Sequence, residues 1–352
     1  PIAVTEWGVS SPPNIETLKR VIPQDELEVW PLKRDGCFVH HTPTYEALHL
    51  DKMLQCASYF VEVSNLEDMI TGNQKTQSYD YKLVIERMRS KKPYTTGTFF
   101  YKLTENYPAC SWATIDYYGV PKRSHYAVKH AYEPIHAMLL FDDYNSGKNG
   151  LPVKLFAVND TPDEVEGLIV LKVYNHDLIC IKQLEYGMNV SADHSTMVDE
   201  LDILDGFKEN DIVFAYLEIK GIDGNPVSNN WYCFNFGARP KSLWDRKEAQ
   251  LEYSIIAEDD DYILKLVNKT GIPVIDVFID LKDASNTYFC DDNEFWMEPF
   301  EERSIRLIKT NPVDGNDKII NDFSIKANNT GVYKLKVFVE DGYERAKMEE
   351  MG

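Results

Sequence analysis

A glutamate at the end of a short apolar segment is the first residue whose type and position suit chemistry. Glu6 closes the apolar run of residues 1–6 and is followed by Trp7 and Gly8, a pattern that predicts a short strand ending in a turn. A carboxylate in such a position can act as a nucleophile. Taken alone, it is also typical of an ordinary surface residue, so its role depends on what the rest of the chain supplies.

A second distinctive segment, residues 97–134, reads GTFFYKLTENYPACSWATIDYYGVPKRSHYAVKHAYEP. Five of its first seven residues are aromatic, β-branched or small, and this run predicts a strand. Residues 122–132 suit a helix. Between Glu6 and this strand, residues 44–60 and 66–90 place apolar side chains at helical spacing and predict two longer helices. The order strand, helices, strand, helix is what the end of a (β/α) barrel would look like, although it supplies only about two of its eight strands.

The 97–134 segment resembles the last barrel strand and helix of the family-2 β-mannosidases. The usual form in that family is close to GTLYWQLNDxWPxxSWSSIDYYGxWKxxHYxxxRxxxP. The match rests on many residue types that are rare in proteins. The shared positions include Gly97, Thr98, Leu103, Pro108, Ser111, Trp112, Ile115, Asp116, Tyr117, Tyr118, Gly119, Lys122, His125, Tyr126 and Pro134.

The segment around Glu6 carries the same resemblance. Residues 5–12, TEWGVSSP, look like the S-E-F-G-x-x-S-x-P of the family, in which the glutamate ends the seventh barrel strand and is the catalytic nucleophile. The resemblance therefore implies that Glu6 is the nucleophile. Segments at 229–232, 240–243 and 292–295 resemble strand signatures of the two accessory sandwiches of the family, so the likeness covers nearly all of the chain except roughly the last forty residues.

The family chemistry needs a second carboxyl group. A retaining glycosidase places two carboxyl groups about 5 to 5.5 Å apart, one as nucleophile and one as acid and base. In the family the acid/base glutamate lies well upstream of the nucleophile, and no residue of this sequence matches it. General acid catalysis is worth roughly a hundred to ten thousandfold. We therefore expect the isolated chain to be nearly inactive unless an amino-terminal polypeptide completes it.

Three aromatic residues are candidates to contact the sugar, because aromatic faces stack on the apolar face of a pyranose ring. They are Trp7, Tyr101 and Trp112. Core packing is the alternative for Trp7 and Tyr101, and sealing of the barrel against the next domain is the alternative for Trp112. The chain also departs from the family pattern nearby, with Tyr101 and Lys102 at its Trp-Gln and Thr104 and Glu105 at its Asn-Asp, so a glucosaminide, galactoside or glucuronide specificity stays open.

Beyond about residue 135 the sequence changes to short strands separated by Asn, Asp, Gly and Pro, the rhythm of β-sandwiches. The predicted fold is a multidomain α/β plus all-β chain. It consists of the carboxyl-terminal portion of a (β/α)8 TIM barrel at residues 1–135, followed by immunoglobulin-like β-sandwiches at 136–247 and 248–352. The tail, residues 343–352, contains helix-forming residues without an apolar face and is predicted to fray.

Composition limits the partners. The 352 residues carry 57 acidic and 37 basic side chains, a formal charge of −20 that disfavours nucleic acid and anionic lipid. No apolar run suits a membrane helix and no signal sequence is visible, so we expect a soluble globular protein of undetermined localisation. The six scattered cysteines and the pair His40 and His41 lack the spacing of metal ligands, so neither a metal nor a cofactor is predicted.

The function that best fits these observations is that of a retaining exo-β-glycosidase, of the β-mannosidase type, of which this chain carries the nucleophile half. Its partners would then be a β-mannoside or related glycoside and an amino-terminal half of the same enzyme. A non-catalytic carbohydrate-binding or structural fragment is the alternative from another class, because sandwiches often bind glycans without cleaving them. A catalytically dead relative is a further alternative.

Overall fold

The computed structural model describes residues 2–44, 46–142, 150–204, 212–235, 248–258, 261–281, 288–310, 321–340 and 343–350. The chain divides into two compact units, each described here by itself. The first unit comprises Pro1–Val9, Ser78–Tyr101 and Ala127–Arg246. The second comprises Ser10–Gln77, Lys102–Tyr126 and Lys247–Gly352. The domain boundaries predicted from the sequence divide the chain into three consecutive segments, whereas each compact unit combines several segments. These boundaries stay a prediction.

The secondary structure follows the sequence pattern at most positions. The helices are α1 (Ile15–Leu18), α2 (Gln24–Leu27), α3 (Cys37–His40), α4 (Ala47–Ala57), α5 (Leu66–Arg89) and α6 (Arg123–Ala131). The strands up to residue 235 are β1 (Ala3–Trp7), β2 (Gly97–Phe100), β3 (Ile135–Leu140), β4 (Pro152–Asn159), β5 (Val165–Tyr174), β6 (Cys180–Val190), β7 (His194–Asp202), β8 (Ile212–Gly221) and β9 (Pro226–Asn235). The later strands are β10 (Leu251–Glu258), β11 (Asp261–Asn268), β12 (Val274–Leu281), β13 (Tyr288–Cys290), β14 (Phe295–Met297), β15 (Glu302–Lys309), β16 (Asn321–Lys326), β17 (Tyr333–Glu340) and β18 (Tyr343–Glu350). Among the described residues, none of the helices is long and apolar enough to cross a membrane.

Strands β1 and β2 of the first unit form a parallel pair. Ala3 lies opposite Gly97, and Trp7 lies opposite Phe100. The register shifts between Val4 and Trp7, so that two residues of β1 face a single residue of β2. Such a bulge bends the strand and redirects its side chains. A parallel pair requires a crossover connection, and the chain between β1 and β2 contains the helices α1 to α5.

The first unit also contains the first β-sandwich. Its strands pair antiparallel in two sheets, in the orders β3-β4-β7 and β6-β5-β8-β9. Alternate residues of both sheets meet in one hydrophobic core, including Leu155, Leu171, Leu217 and Phe234. Seven antiparallel strands around a core of this kind match the predicted immunoglobulin-like architecture. Gly224, with a φ of 80°, closes the predicted hairpin loop between β8 and β9.

The second unit contains the second sandwich, whose sheets run β10-β11-β15-β13 and β14-β12-β16-β17-β18. The last strand corrects the prediction for the tail. Residues 343–350 form β18, which pairs with β17 from Glu340 opposite Tyr343 to Tyr333 opposite Glu350. Helix-forming side chains express only a weak preference, and β17 offers hydrogen-bond partners to the backbone groups on one side of residues 343–350.

Helices α4 and α5 approach each other closely in the second unit. A Cβ atom at Gly72 would lie 2.4 Å from the backbone oxygen of Ala57, so only glycine allows this approach. The Thr76 hydroxyl and the Asn73 amide donate hydrogen bonds of 2.7 Å to backbone oxygens of Cys56 and Met53. Polar side chains on α5 therefore donate hydrogen bonds to carbonyl groups of α4. Apolar side chains of the two helices pack with residues of α1 and α3 in one hydrophobic core.

A buried polar network joins the carboxyl-terminal turn of α5 to the first sandwich. Oε1 of Glu86 lies 3.0 Å from Nε2 of His136 and accepts a 2.8 Å hydrogen bond from the amide of Asn230, while Oε2 accepts a 2.7 Å bond from the hydroxyl of Tyr232. All four side chains are buried. Burial alone would raise the pKa of Glu86, but Lys82, His136 and Tyr232 lower it below its usual value. The carboxylate is thus held ionised inside the protein.

The second unit contains a comparable network of charges. Asp276 on β12 accepts from Lys75 of α5 and, at 3.0 Å, from Arg123 of α6, and Glu294 lies 3.9 Å from the same guanidinium. All four side chains are at least nine-tenths buried. A buried charge is tolerated only when it is paired and hydrogen-bonded. These pairs therefore attach helical residues of the second unit to its sandwich.

We predict that Glu86→Gln lowers the free energy of unfolding by about 2–4 kcal/mol, because one acceptor oxygen becomes a donor that faces other donors. Urea unfolding followed by circular dichroism measures the change. Glu67→Gln, an exposed glutamate on the same helix, is the matched control and should change the stability by less than about 0.5 kcal/mol. Equal effects of the two substitutions would contradict the role assigned to the network.

Candidate active site

Glu6 lies in the bulge of β1 and is exposed. Its strand ends one residue later, at Trp7, so the carboxylate stands near the carboxyl end of the parallel pair. In α/β proteins with parallel strands, this end carries the ligands and the catalytic groups. Within the first unit, the structure therefore presents Glu6 to solvent at the edge where chemistry is expected.

The indole of Trp7 is anchored in the first unit. Its Nε1 donates a 2.8 Å hydrogen bond to the Thr98 hydroxyl, and its ring meets Tyr81 edge to face at 5.0 Å. It packs on a small core that includes Ile85 and Val128. Trp7 thus forms part of the core beneath β1 and holds the strand that carries Glu6.

Tyr101 follows β2 directly and is 41% exposed. Its backbone N–H donates a 2.7 Å hydrogen bond to the Trp7 carbonyl, which extends the pairing beyond the last residue of β2. Its own carbonyl accepts a 3.1 Å bond from the Tyr81 hydroxyl. The first unit therefore brings Glu6, Trp7 and Tyr101 to the same end of the strand pair, with Tyr101 the more exposed of the two aromatic residues.

Trp112 belongs to the second unit and is half-buried there. Its ring meets the imidazole of His49 edge to face at a centroid distance of 6.5 Å. Nε2 of His49 lies 2.7 Å from the Ser10 hydroxyl oxygen, a hydrogen bond between two half-buried side chains. Neither Ser10 nor His49 was a candidate from the sequence, because thirty-nine positions separate them and no motif links them.

A buried lysine of the second unit joins the loop that carries Ser10 to the loop that carries Trp112. Nζ of Lys122 donates hydrogen bonds of 2.8 and 3.0 Å to the carbonyl oxygens of Ser11 and Ser111, and the N–H of Ser11 donates 3.0 Å to the same Ser111 oxygen. The Lys122 side chain is fully buried, and this burial lowers its pKa to about 8. Lys122 is one of the motif positions, and its role here is to join the two loops.

Asp116, another motif position, is a buried anchor for the following turn. Its Oδ1 accepts hydrogen bonds of 2.9 Å from the N–H groups of Tyr118 and Val120, and Oδ2 accepts from the Thr17 hydroxyl. Asp116 therefore acts both as a turn residue and as a hydrogen-bonding anchor. It links the turn before Lys122 to helix α1.

Two departures from the family pattern compensate each other. Nζ of Lys102 lies 2.9 Å from Oε2 of Glu105, whose side chain is buried, and Glu105 also accepts a hydrogen bond from the Ser111 hydroxyl. The cation that Lys102 adds is therefore neutralised within the second unit. Among the described residues, no group of three or more His, Cys, Asp or Glu side chains is placed to hold a metal ion.

The first sandwich matches a known family model. Residues 152–236 match the Mannosidase Ig/CBM-like domain. The search of curated proteins returned no match.

Solved structures match the chain over nearly its whole length. The β-D-mannosidase from Dictyoglomus thermophilum matches at 20% identity and a TM-score of 0.74, over 93% of this chain and 37% of its own. The exo-chitosanase CsxA from Amycolatopsis orientalis matches at 20% identity and a TM-score of 0.72, over 93% of this chain and 41% of its own. A structure described as the exo-β-D-glucosaminidase CsxA matches at 19% identity and a TM-score of 0.72. This chain spans about two fifths of the length of these proteins.

The fold of this chain is similar to that of a part of each of these solved structures. The resemblance to the carboxyl-terminal part of the β-mannosidase-like family-2 glycoside hydrolases is confirmed, in the domain family for residues 152–236 and in the fold for 93% of the chain.

Asp80 is a carboxyl group of the first unit that the sequence did not single out. It lies half-buried on α5, and burial raises its pKa to about 6. A raised carboxyl pKa means that ionisation opposes folding, so the folded state gains relative stability below the pKa of the unfolded chain and loses it as pH rises through about 6.

We predict that Asp80→Asn raises the free energy of unfolding at pH 7 by about 1–2 kcal/mol, a value reduced for partial exposure, and leaves it nearly unchanged at pH 4. Urea unfolding at a series of pH values measures the difference. Asp163→Asn, an exposed aspartate of the first unit, should show no such dependence. A stabilisation that is equal at both pH values would refute the titration of Asp80 as its cause.

Lys102→Met is predicted to destabilise the protein by about 1–3 kcal/mol, since it removes the cation that lies 2.9 Å from the buried Glu105 carboxylate and leaves Lys122 as the other cation that interacts with it. The double variant Lys102→Met/Glu105→Gln should recover most of this loss, which a double-mutant cycle by thermal unfolding measures. Lys19→Met removes the exposed pair with Glu16 in the same unit and should cost less than about 1 kcal/mol. Additive effects at Lys102 and Glu105 would argue against the compensation.

Proposed function

We propose that this chain is the nucleophile-bearing part of a retaining exo-β-glycosidase, and that the strands β1 and β2 are the last two strands of its catalytic barrel. The observation that carries the proposal is the position of Glu6, exposed in a bulge at the carboxyl end of a parallel strand pair. The likeness in fold to a β-mannosidase and an exo-chitosanase supports it. The shared motif positions Lys122 and Asp116 make hydrogen bonds that hold the motif segment at residues 97–134 in its conformation.

In the proposed mechanism the Glu6 carboxylate attacks the anomeric carbon, and the bond to the leaving oxygen breaks as a glycosyl ester forms. An acid/base glutamate outside these 352 residues supplies the proton to the leaving oxygen. The same group then removes a proton from water, which attacks the ester and releases the sugar with its configuration retained. The second carboxyl group would lie about 5 to 5.5 Å from Glu6 in the complete enzyme.

A terminal β-mannoside is the proposed substrate, with the related β-glycosides as alternatives. Because Glu105 neutralises Lys102, this departure from the family pattern adds no unpaired cation to the segment. The non-catalytic alternative would be favoured by exposed aromatic platforms on a sandwich. Among the residues whose side chains the structure describes, Phe300 is the one large exposed aromatic residue on either sandwich.

An activated substrate tests the role of Glu6 without the missing acid. We predict that the chain releases almost no 4-nitrophenol from 4-nitrophenyl β-mannoside, yet slowly cleaves 2,4-dinitrophenyl β-mannoside, because dinitrophenolate leaves without protonation. Azide should accelerate this reaction by attacking the glycosyl ester, and it should yield β-mannosyl azide. The measurement is dinitrophenolate release together with product analysis, repeated with the β-glucosaminide, β-galactoside and β-glucuronide.

Glu6→Gln should abolish this release, whereas Glu62→Gln, an exposed glutamate of the second unit, should preserve it. Retention of activity in Glu6→Gln would reject Glu6 as the nucleophile. Rapid release of 4-nitrophenol would show that the chain contains its own acid, and would contradict the proposed division of the site.

A further inference from the structure

We propose that Ser10, His49 and Trp112 form a contact site for a neutral saccharide ring within the second unit. The choice of a saccharide rests on the proposed function, but the site consists of residues of the second unit only. Of the three, only Trp112 was a candidate for sugar contact from the sequence. Ser10 and His49 add two hydrogen-bonding groups beside its aromatic ring.

The three side chains combine the two kinds of group that recognise a sugar. The Ser10 hydroxyl and Nε2 of His49 are 2.7 Å apart, and the Trp112 ring meets the imidazole at 6.5 Å. All three residues are half-buried, so each is held by the protein and still reaches solvent. Sugar hydroxyls pair with such donors and acceptors, and the apolar face of the sugar packs on an aromatic ring.

The cluster carries no net charge at neutral pH. Burial, and secondarily the charge of Lys52, lower the pKa of His49 below its usual value of 6.5. A neutral imidazole has one donor and one acceptor nitrogen, and the hydroxyl of Ser10 can serve in either role. This set suits an uncharged polyol better than an anion, which would require cations or several donors.

The cluster is preorganised by its neighbours in the chain. Ser10 precedes Ser11 and Trp112 follows Ser111, and these are the two residues whose carbonyl oxygens Lys122 binds. His49 lies on helix α4, and the Trp112 carbonyl accepts a 3.2 Å hydrogen bond from the Gln77 amide. Both loops and the helix therefore hold the three side chains in place before a ligand arrives, which reduces the entropy lost on binding.

Titration of the complete chain with methyl β-D-mannopyranoside, methyl β-D-glucopyranoside, methyl β-D-galactopyranoside and methyl β-D-glucosaminide tests the site. The probe is the imidazole NMR signal of His49 in the unsubstituted protein, which requires no variant to fold. We expect saturable shifts of this signal with at least one neutral glycoside. His49→Ala and Ser10→Ala should each weaken the affinity at least about fivefold, the effect of one lost neutral hydrogen bond.

His194→Ala, which removes an exposed histidine of the first unit, is the matched control and should leave the affinity unchanged. Thermal unfolding of each variant separates loss of the site from loss of the fold. The proposal is overturned if no glycoside shifts the His49 signal, or if folded His49→Ala and Ser10→Ala bind as well as the unsubstituted protein. If the unsubstituted chain binds a glycoside at this site but does not cleave 2,4-dinitrophenyl β-mannoside, this site is retained while the proposed catalytic role is rejected.

Discussion

The cost of removing a charge from water is the constraint on which the structure depends. Glu86 in the first unit and Lys75 and Lys122 in the second are buried, and each is surrounded by polar groups that compensate for the lost water. An uncompensated charge in such a position would cost several kcal/mol. Each of these side chains therefore requires particular partners at particular distances. Apolar side chains pack together without that requirement.

The same constraint explains how a small pair of strands is held in place. Two strands alone bury too little surface to be stable in water. In the first unit β1 and β2 rest on the core around Tyr81 and Ile85, and the polar bonds of Trp7 and Tyr101 secure the end near Glu6. The candidate nucleophile is consequently an exposed side chain on a well-supported backbone, the arrangement that precise chemistry requires.

In the second unit, motif residues act mainly by positioning others. Lys122 and Asp116 are buried and bind backbone groups, whereas the half-buried side chains of Ser10, His49 and Trp112 stand beside the backbone that Lys122 joins. The paired change to Lys102 and Glu105 preserves local neutrality. A chain at about 20% identity to these solved structures can thus keep the fold of a part of them while it departs from the family pattern at Lys102 and Glu105.

The sequence by itself determined the two motifs, the candidate Glu6, helices α4 and α5 and the alternating strands of both sandwiches, because these features depend on local residue order and periodicity. It did not reveal strands β3, β7, β13, β14 and β16, and it led to a wrong expectation for residues 343–350, which form a strand by pairing with β17. Only the tertiary structure decided the hydrogen bond between Ser10 and His49, the raised pKa of Asp80 and the partners of Glu86. Each of these depends on which distant segments lie together and how much water they exclude, and neither quantity is encoded in the spacing of residues along the chain.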